Sequence, residues 1–288
     1  MRTLVRSPRR NPWAVFLAHQ ALLFATAAGF LYSVRRLTGR DVHLGREPLG
    51  AAGAAALVVL SAAVIALTWA LYGWVRAEES RPLGIKPSLR RVAEMLAGAV
   101  GGFALAAWPW LAALATGRAV VRDTVGAHFG GLDAARVVAV GVSLLFLSAF
   151  TEEVANRAFP MRLWQNRSLA FRVIVPSLFF AAVHFAGEPF GVERALTLLA
   201  AGVTQSLAYA LTGDVWLAAG LHFGANYAGF SASGLWHAGA FAEVAGRPFV
   251  PNWLTVALML IIIVAAFALL KRFYDSEQNH PRAARREA

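Results

Sequence analysis

The sequence predicts an all-α bundle of about eight transmembrane helices, forming one integral membrane domain over residues 1–288. Three observations predict it. Hydrophobic residues make up 58% of the chain and charged residues 15%. Soluble domains carry about a quarter charged residues, so polar surface here is too scarce to clothe a water-facing exterior. The apolar residues are gathered into long runs, and about 20 such residues in a helix cross a hydrocarbon core of roughly 30 Å. The formal charge of +11 comes from basic residues between those runs, where loops face anionic lipid. The charge is therefore a membrane signature, and no nucleic acid is expected as a partner. Cysteine is absent, which removes disulfides, thiolate metal sites and cysteine nucleophiles.

The runs lie near 13–34, 49–75, 92–116, 134–158, 168–186, 193–211, 214–232 and 251–271. Arg2, Arg6, Arg9 and Arg10 precede the first. That run is long enough to span and has no small-residue cleavage site, so it is expected to be a retained helix, not a secretory signal. His19 and Gln20 lie within it with no polar cluster to match. The second and eighth runs are plain, since 57–75 and 256–270 contain no charge. Segment 118–133 is the longest expected loop. Thr212–Gly213–Asp214 alone separates the sixth and seventh runs, which predicts a tight helical hairpin. Gly98/Gly102 and Gly220/Gly224 are small residues four apart, the spacing that lets membrane helices approach closely. Pro160 and Pro176 are candidate kinks. Trp13, Trp69, Trp74, Trp108, Trp110, Trp216 and Trp253 suit interfacial belts. With eight spans both termini share a side. That side holds the larger share of Lys and Arg, which predicts cytoplasmic termini.

Ionisable residues inside a bilayer are costly and mark function or pairing. Three groups stand out: Glu152–Glu153 with Arg157 late in the fourth run, Phe180 with His184 late in the fifth, and His222 with Asn226 in the seventh. Glu153 and Arg157 are four apart and can pair on one helix face, as can His222 and Asn226. Glu152 sits about 100° round the helix from Glu153 and seeks a different partner. At 1.5 Å per residue the three groups reach a similar depth, roughly 14–26 Å from the turns near 164–167 and 212–213. One buried polar site is therefore geometrically allowed.

Such a group has a chemistry. A carboxylate and an imidazole sharing a water can remove its proton and turn it on a peptide carbonyl. A second imidazole and an amide can donate to the resulting oxyanion. Arg157 can hold Glu153 and leave Glu152 as base. Taken singly, each group also has an ordinary structural reading: an ion cluster at a helix end, core histidines, an interhelical amide bond. Other machineries are missing. There is no His-Glu-x-x-His zinc motif. Ser231–Ala232–Ser233–Gly234 and Leu211–Thr212–Gly213–Asp214 each miss the first glycine of a serine or aspartyl intramembrane motif.

Glu-Glu-x-x-x-Arg at 152–157, Phe-x-x-x-His at 180–184 and His-x-x-x-Asn at 222–226, in that order on hydrophobic helices, resemble the CPBP (CAAX protease and bacteriocin-processing) intramembrane proteases. That family includes the type II CAAX prenyl endopeptidases. The resemblance covers about 134–232. It implies an all-helical membrane fold and an intramembrane endopeptidase in which Glu152 and His184 activate water. His222 and Asn226 would stabilise the oxyanion, with Glu153 and Arg157 in support. Asn156 and Ala158 depart from the aromatic residue and glycine that often flank the motif arginine.

The resemblance further implies a membrane-associated peptide or protein substrate, lipidated in some members, and residence in the bilayer. The bacterial cytoplasmic membrane is the expected location. No metal is required by this residue set. The alternative is Zn2+ or another divalent metal on Glu152, His184 and His222, since three N/O ligands plus water make a catalytic zinc site. The alternative function is a non-proteolytic membrane scaffold or an immunity or resistance factor that keeps the same polar core. A proton-relaying transporter is a third class.

Overall fold

A computed structural model describes residues 11–38, 51–75, 82–124, 131–185, 190–233 and 241–246, with 254, 257–262, 265 and 268. Helices α1 (Pro12–Thr38), α2 (Ala51–Val75) and α3 (Leu89–Ala115) are followed by strand β1 (Ala119–Thr124). Helix α4 is α-helical over Gly131–Glu153, π-helical over Val154–Ala158 and α-helical again over Phe159–Leu163. Helices α5 (Leu169–His184), α6 (Val192–Thr212) and α7 (Trp216–Ser233) lead to strand β2 (Phe241–Gly246).

Five stretches among the described residues are long and apolar enough to cross a membrane: Pro12–Gly29, Gly53–Val75, Leu89–Ala115, Asp133–Leu163 and Val192–Thr212. Helix α5 is a shorter apolar helix of 16 residues and α7 has 18. The first seven predicted runs each fall on a helix. Of the eighth, the described residues from 254 to 268 are helical, and the rest, with the polar tail, lies outside the described residues. Val59, Leu96, Val100 and Leu111 are all exposed, as suits a chain whose solvent on that surface is lipid. The fold is a polytopic helical membrane bundle.

Two features differ from expectation. The first is a small antiparallel pair of strands, with Ala119 opposite Gly246 and Thr124 opposite Phe241. The expected loop at 118–133 therefore begins as a strand. Val120 and Val121 favour extended backbone, but a six-residue strand leaves little trace beside runs four times its length. The second is that α4 continues past 158 to Leu163. Pro160 has no N–H, and its ring would press on the carbonyl four residues back, Asn156. The backbone accommodates it by widening: Phe159 N–H reaches the Val154 carbonyl across a π turn.

Helices α3 and α7 run parallel and nearly touch. A Cβ added at Gly98 would lie 2.5 Å from the Leu217 carbonyl oxygen, and one at Gly102 2.1 Å from that of Leu221. A Cβ at Gly220 would lie 2.1 Å from the Met95 oxygen, and one at Gly224 2.0 Å from that of Ala99. The two glycine pairs therefore serve each other, and this contact seats the helix that carries His222.

One end of the bundle is a polar clamp. Arg91 Nε lies 3.0 Å from Asp214 Oδ2, Asp214 Oδ1 accepts from Trp216 N–H at the start of α7, and Arg162 donates to the Gly213 carbonyl. Tyr209 O–H donates to the Leu83 carbonyl at 3.0 Å. Gly213, at φ 74°, takes the left-handed turn that ends α6. Segments 82–88, 164–167 and 212–215 thus share a face, as alternating spans require. Elsewhere Trp164 is buried among Phe16, Trp13 and Phe171. His19, unmatched in sequence, is buried with Nε2 3.0 Å from Thr68 Oγ1 and its ring stacked 4.1 Å from that of Phe159. The matching group across the helix pair is an uncharged threonine on α2, and Gln20 Nε2 lies 3.4 Å from the other ring nitrogen, Nδ1.

The close approach of α3 and α7 makes a direct prediction. Gly102→Leu and Gly220→Leu, each meeting backbone, should cost about 2–3 kcal/mol or more. Gly73→Ala has nothing within 4 Å and should be neutral or mildly stabilising, by up to about 1 kcal/mol. Thermal unfolding of the detergent-solubilised chain reads both.

Candidate functional site

The site begins on the last turns of α4. Glu153 and Arg157 are both fully buried. A charge at that depth is tolerated only when paired and hydrogen-bonded. Arg157 Nε faces Glu153 Oε2 at 3.3 Å as an ion pair. Its Nη2 donates to Gln205 Oε1 on α6, and its guanidinium carbon lies 4.0 Å from the centroid of the Phe180 ring on α5. Four helices meet here, because the other oxygen of Glu153 is engaged by α7: His222 Nδ1 lies 2.8 Å from Glu153 Oε1.

Glu152 has a different environment. Its side chain is 36% exposed, Ser148 Oγ donates to Oε1 at 3.4 Å, and Oε2 lies 3.9 Å from His222 Nε2. The imidazole of His222 therefore stands between two carboxylates, anchored to the buried one and facing the open one.

His184 closes α5. Its Nδ1 is 2.7 Å from the Phe180 carbonyl. A carbonyl only accepts, so Nδ1 carries the proton, and in the neutral ring Nε2 keeps its lone pair. Phe180 is the hub of the three motif groups. Its ring centroid lies 4.6 Å from that of His184 and 6.1 Å from that of His222, with Arg157 over its face.

Of the residues singled out from sequence, Arg157, His184 and His222 thus gather around Phe180, and Glu152 and Glu153 join them through His222. His184 and Glu152 are not hydrogen-bonded to each other among the described residues. Asn226 is half-buried, one turn and about 6 Å beyond His222 along α7, and makes no hydrogen bond among the described residues. No three His, Asp or Glu side chains among the described residues are grouped to hold a metal ion. Glu152, His184 and His222, as placed, do not form a ligand set.

Sequence reasoning missed Gln205 and Ser148. Gln205 carried a signal, as a buried amide in a predicted span, but had no motif partner until the fold placed it on Arg157. Ser148 lies one turn before Glu152, a spacing that could have flagged it.

Cutting the ion pair on one side should be far worse than removing both charges. Arg157→Met leaves Glu153 buried without its cation and should cost about 3–5 kcal/mol. The double variant Glu153→Gln/Arg157→Met should recover a large part of that. Reversible unfolding in mixed micelles measures the difference.

Residues 134–228 match the family described as type II CAAX prenyl endopeptidase Rce1-like. No curated protein and no solved structure matches the chain. The matched stretch opens in α4 and closes in α7, so it contains every motif residue from Glu152 to Asn226. Over this part, which carries the whole polar site, the chain is similar to the type II CAAX prenyl endopeptidases.

Proposed function

We propose that the chain is an intramembrane endopeptidase that hydrolyses a peptide bond of a membrane-associated substrate, with lipidated CAAX-type chains as the first class to try. One observation carries the reading: a partly exposed carboxylate, Glu152, beside an imidazole locked in place by a buried ion pair, inside a helical membrane bundle. A merely structural cluster has no need of the open carboxylate. Similarity to a protease family over the same residues supports the reading.

In this mechanism Glu152 takes a proton from a bound water, whose oxygen attacks the scissile carbonyl carbon. His184 Nε2 accepts the second water proton as a hydrogen bond and aims the lone pair. The carbonyl oxygen becomes an oxyanion. His222, protonated on both nitrogens, gives Nδ1–H to Glu153 and Nε2–H to the oxyanion, and the Asn226 amide is the second donor. The C–N bond then breaks as Glu152 passes its proton to the leaving amine. Glu153 and Arg157 touch no reacting atom and hold His222. No step needs a metal. The alternative, Zn2+ or another divalent metal on Glu152, His184 and His222, requires those three side chains to converge.

The test is cleavage of a fluorogenic farnesylated CAAX peptide by purified protein in lipid nanodiscs. Glu152→Gln, His184→Gln and His222→Gln should each lower kcat by about 10²–10⁴-fold with unfolding midpoints close to the parent. Chelation with 1,10-phenanthroline should leave the rate unchanged. Full cleavage by folded Glu152→Gln would remove the mechanism, and loss of activity on chelation, restored by Zn2+, would install the metal alternative. An inactive parent whose cellular role survives Glu152→Gln would favour the scaffold or immunity reading.

A further inference from the structure

Gln205 belongs to none of the three motif groups, yet it is bound to their centre. It is 5% exposed on α6 and accepts from Arg157 Nη2. Arginine only donates, so the glutamine must present its carbonyl oxygen, and the amide has one allowed orientation. The helix that carries it packs closely on α5. Gly202, one turn earlier, lets α6 approach α5 so closely that a Cβ there would lie 3.0 Å from Ser177 Cβ. Ser206 Oγ lies 3.4 Å from Ser177 Oγ.

The consequence follows from planarity. The Arg157 guanidinium is a rigid plane. Nε engages Glu153 at its edge, and Phe180 covers its face. Without a second edge contact the plane can turn on the Phe180 ring. Glu153 would have to follow or lose its cation. The other oxygen of Glu153 holds His222 Nδ1 at 2.8 Å, so a turn of the guanidinium becomes a turn of the imidazole.

We propose that Gln205 is a positioning residue. By fixing the Arg157 plane it sets the orientation of Glu153, and through Glu153 the direction in which His222 Nε2 faces the reacting centre. The kinetic half of this statement rests on the endopeptidase reading; the orientation of His222 does not.

The experiment uses the full chain in lipid nanodiscs with 15N-labelled histidine, and His222 is assigned by the signal lost in His222→Gln. Gln205→Met keeps the length of the side chain but removes the acceptor. Gln205→Glu keeps an acceptor. Thr204→Val is the control on the same helix, since Thr204 Oγ1 bonds the Ala200 carbonyl of its own helix. Gln205→Met should move the His222 Nδ1 resonance and shift the pH–rate profile. On the farnesylated CAAX peptide it should lower kcat by about 10–100-fold, with KM within about twofold. Gln205→Glu should restore most of the His222 signal position, and Thr204→Val should change neither readout.

An unmoved His222 resonance in folded Gln205→Met would overturn the proposal. So would a rate loss confined to KM. If the parent cleaves no probe, the endopeptidase reading fails for that substrate while the His222 resonance still decides the role of Gln205. If Gln205→Met does not fold, Gln205→Asn takes its place. Its acceptor, drawn back by one methylene, should move the resonance where Gln205→Glu does not, and equal spectra for the two would refute the relay.

Discussion

Everything at the centre of this bundle depends on one buried charge pair. Arg157 and Glu153 have no access to solvent, and removing two charges from water costs several kcal/mol per ion before any attraction is counted. The surroundings are what make the pair tenable. An aromatic face, an amide oxygen and an imidazole are drawn from α5, α6 and α7, so the demand for solvation pulls these helices toward α4. The π turn belongs to the same arrangement. It absorbs Pro160 without ending the helix and carries Arg157 on the widened stretch of backbone. Such turns recur at functional sites, and here a sequence-level cause can be named.

The pair also divides labour between two adjacent carboxylates. Glu152 and Glu153 are chemically the same group one residue apart, yet about 100° of helix rotation puts one among four helices and leaves the other partly open. The buried one is paired with Arg157 through one oxygen and bonded to His222 through the other. The open one is engaged by a serine at 3.4 Å and faces His222 at a longer distance. Environment, not identity, separates a buried anchor from a partly exposed carboxylate.

Much of this was legible in the order and spacing of residues. Runs of apolar residues located the helices because lipid demands them, and the glycine pairs at 98/102 and 220/224 announced a close crossing that the structure places between α3 and α7. Glu153 pairs with Arg157 as their spacing requires. What spacing cannot express is the meeting of distant elements. Gln205 acquires its meaning from a residue 48 positions away, and His19 from Thr68, 49 away. Strands β1 and β2 were invisible because each is short and its partner lies more than a hundred positions away. The expectation that His222 would simply flank the oxyanion missed its bond to Glu153, which no periodicity encodes.

The strands and the polar clamp lie at opposite ends of the same two helices. Helices α3 and α7 are tied at their starts by Arg91 and Asp214, fused along their length by interlocked glycines, and followed by strands that zip to each other. Bound at both ends and in the middle, they make a single stiff strut with His222 mounted on it. The imidazole is thereby carried on the braced pair of the bundle, and α4 and α6 pack against that mast.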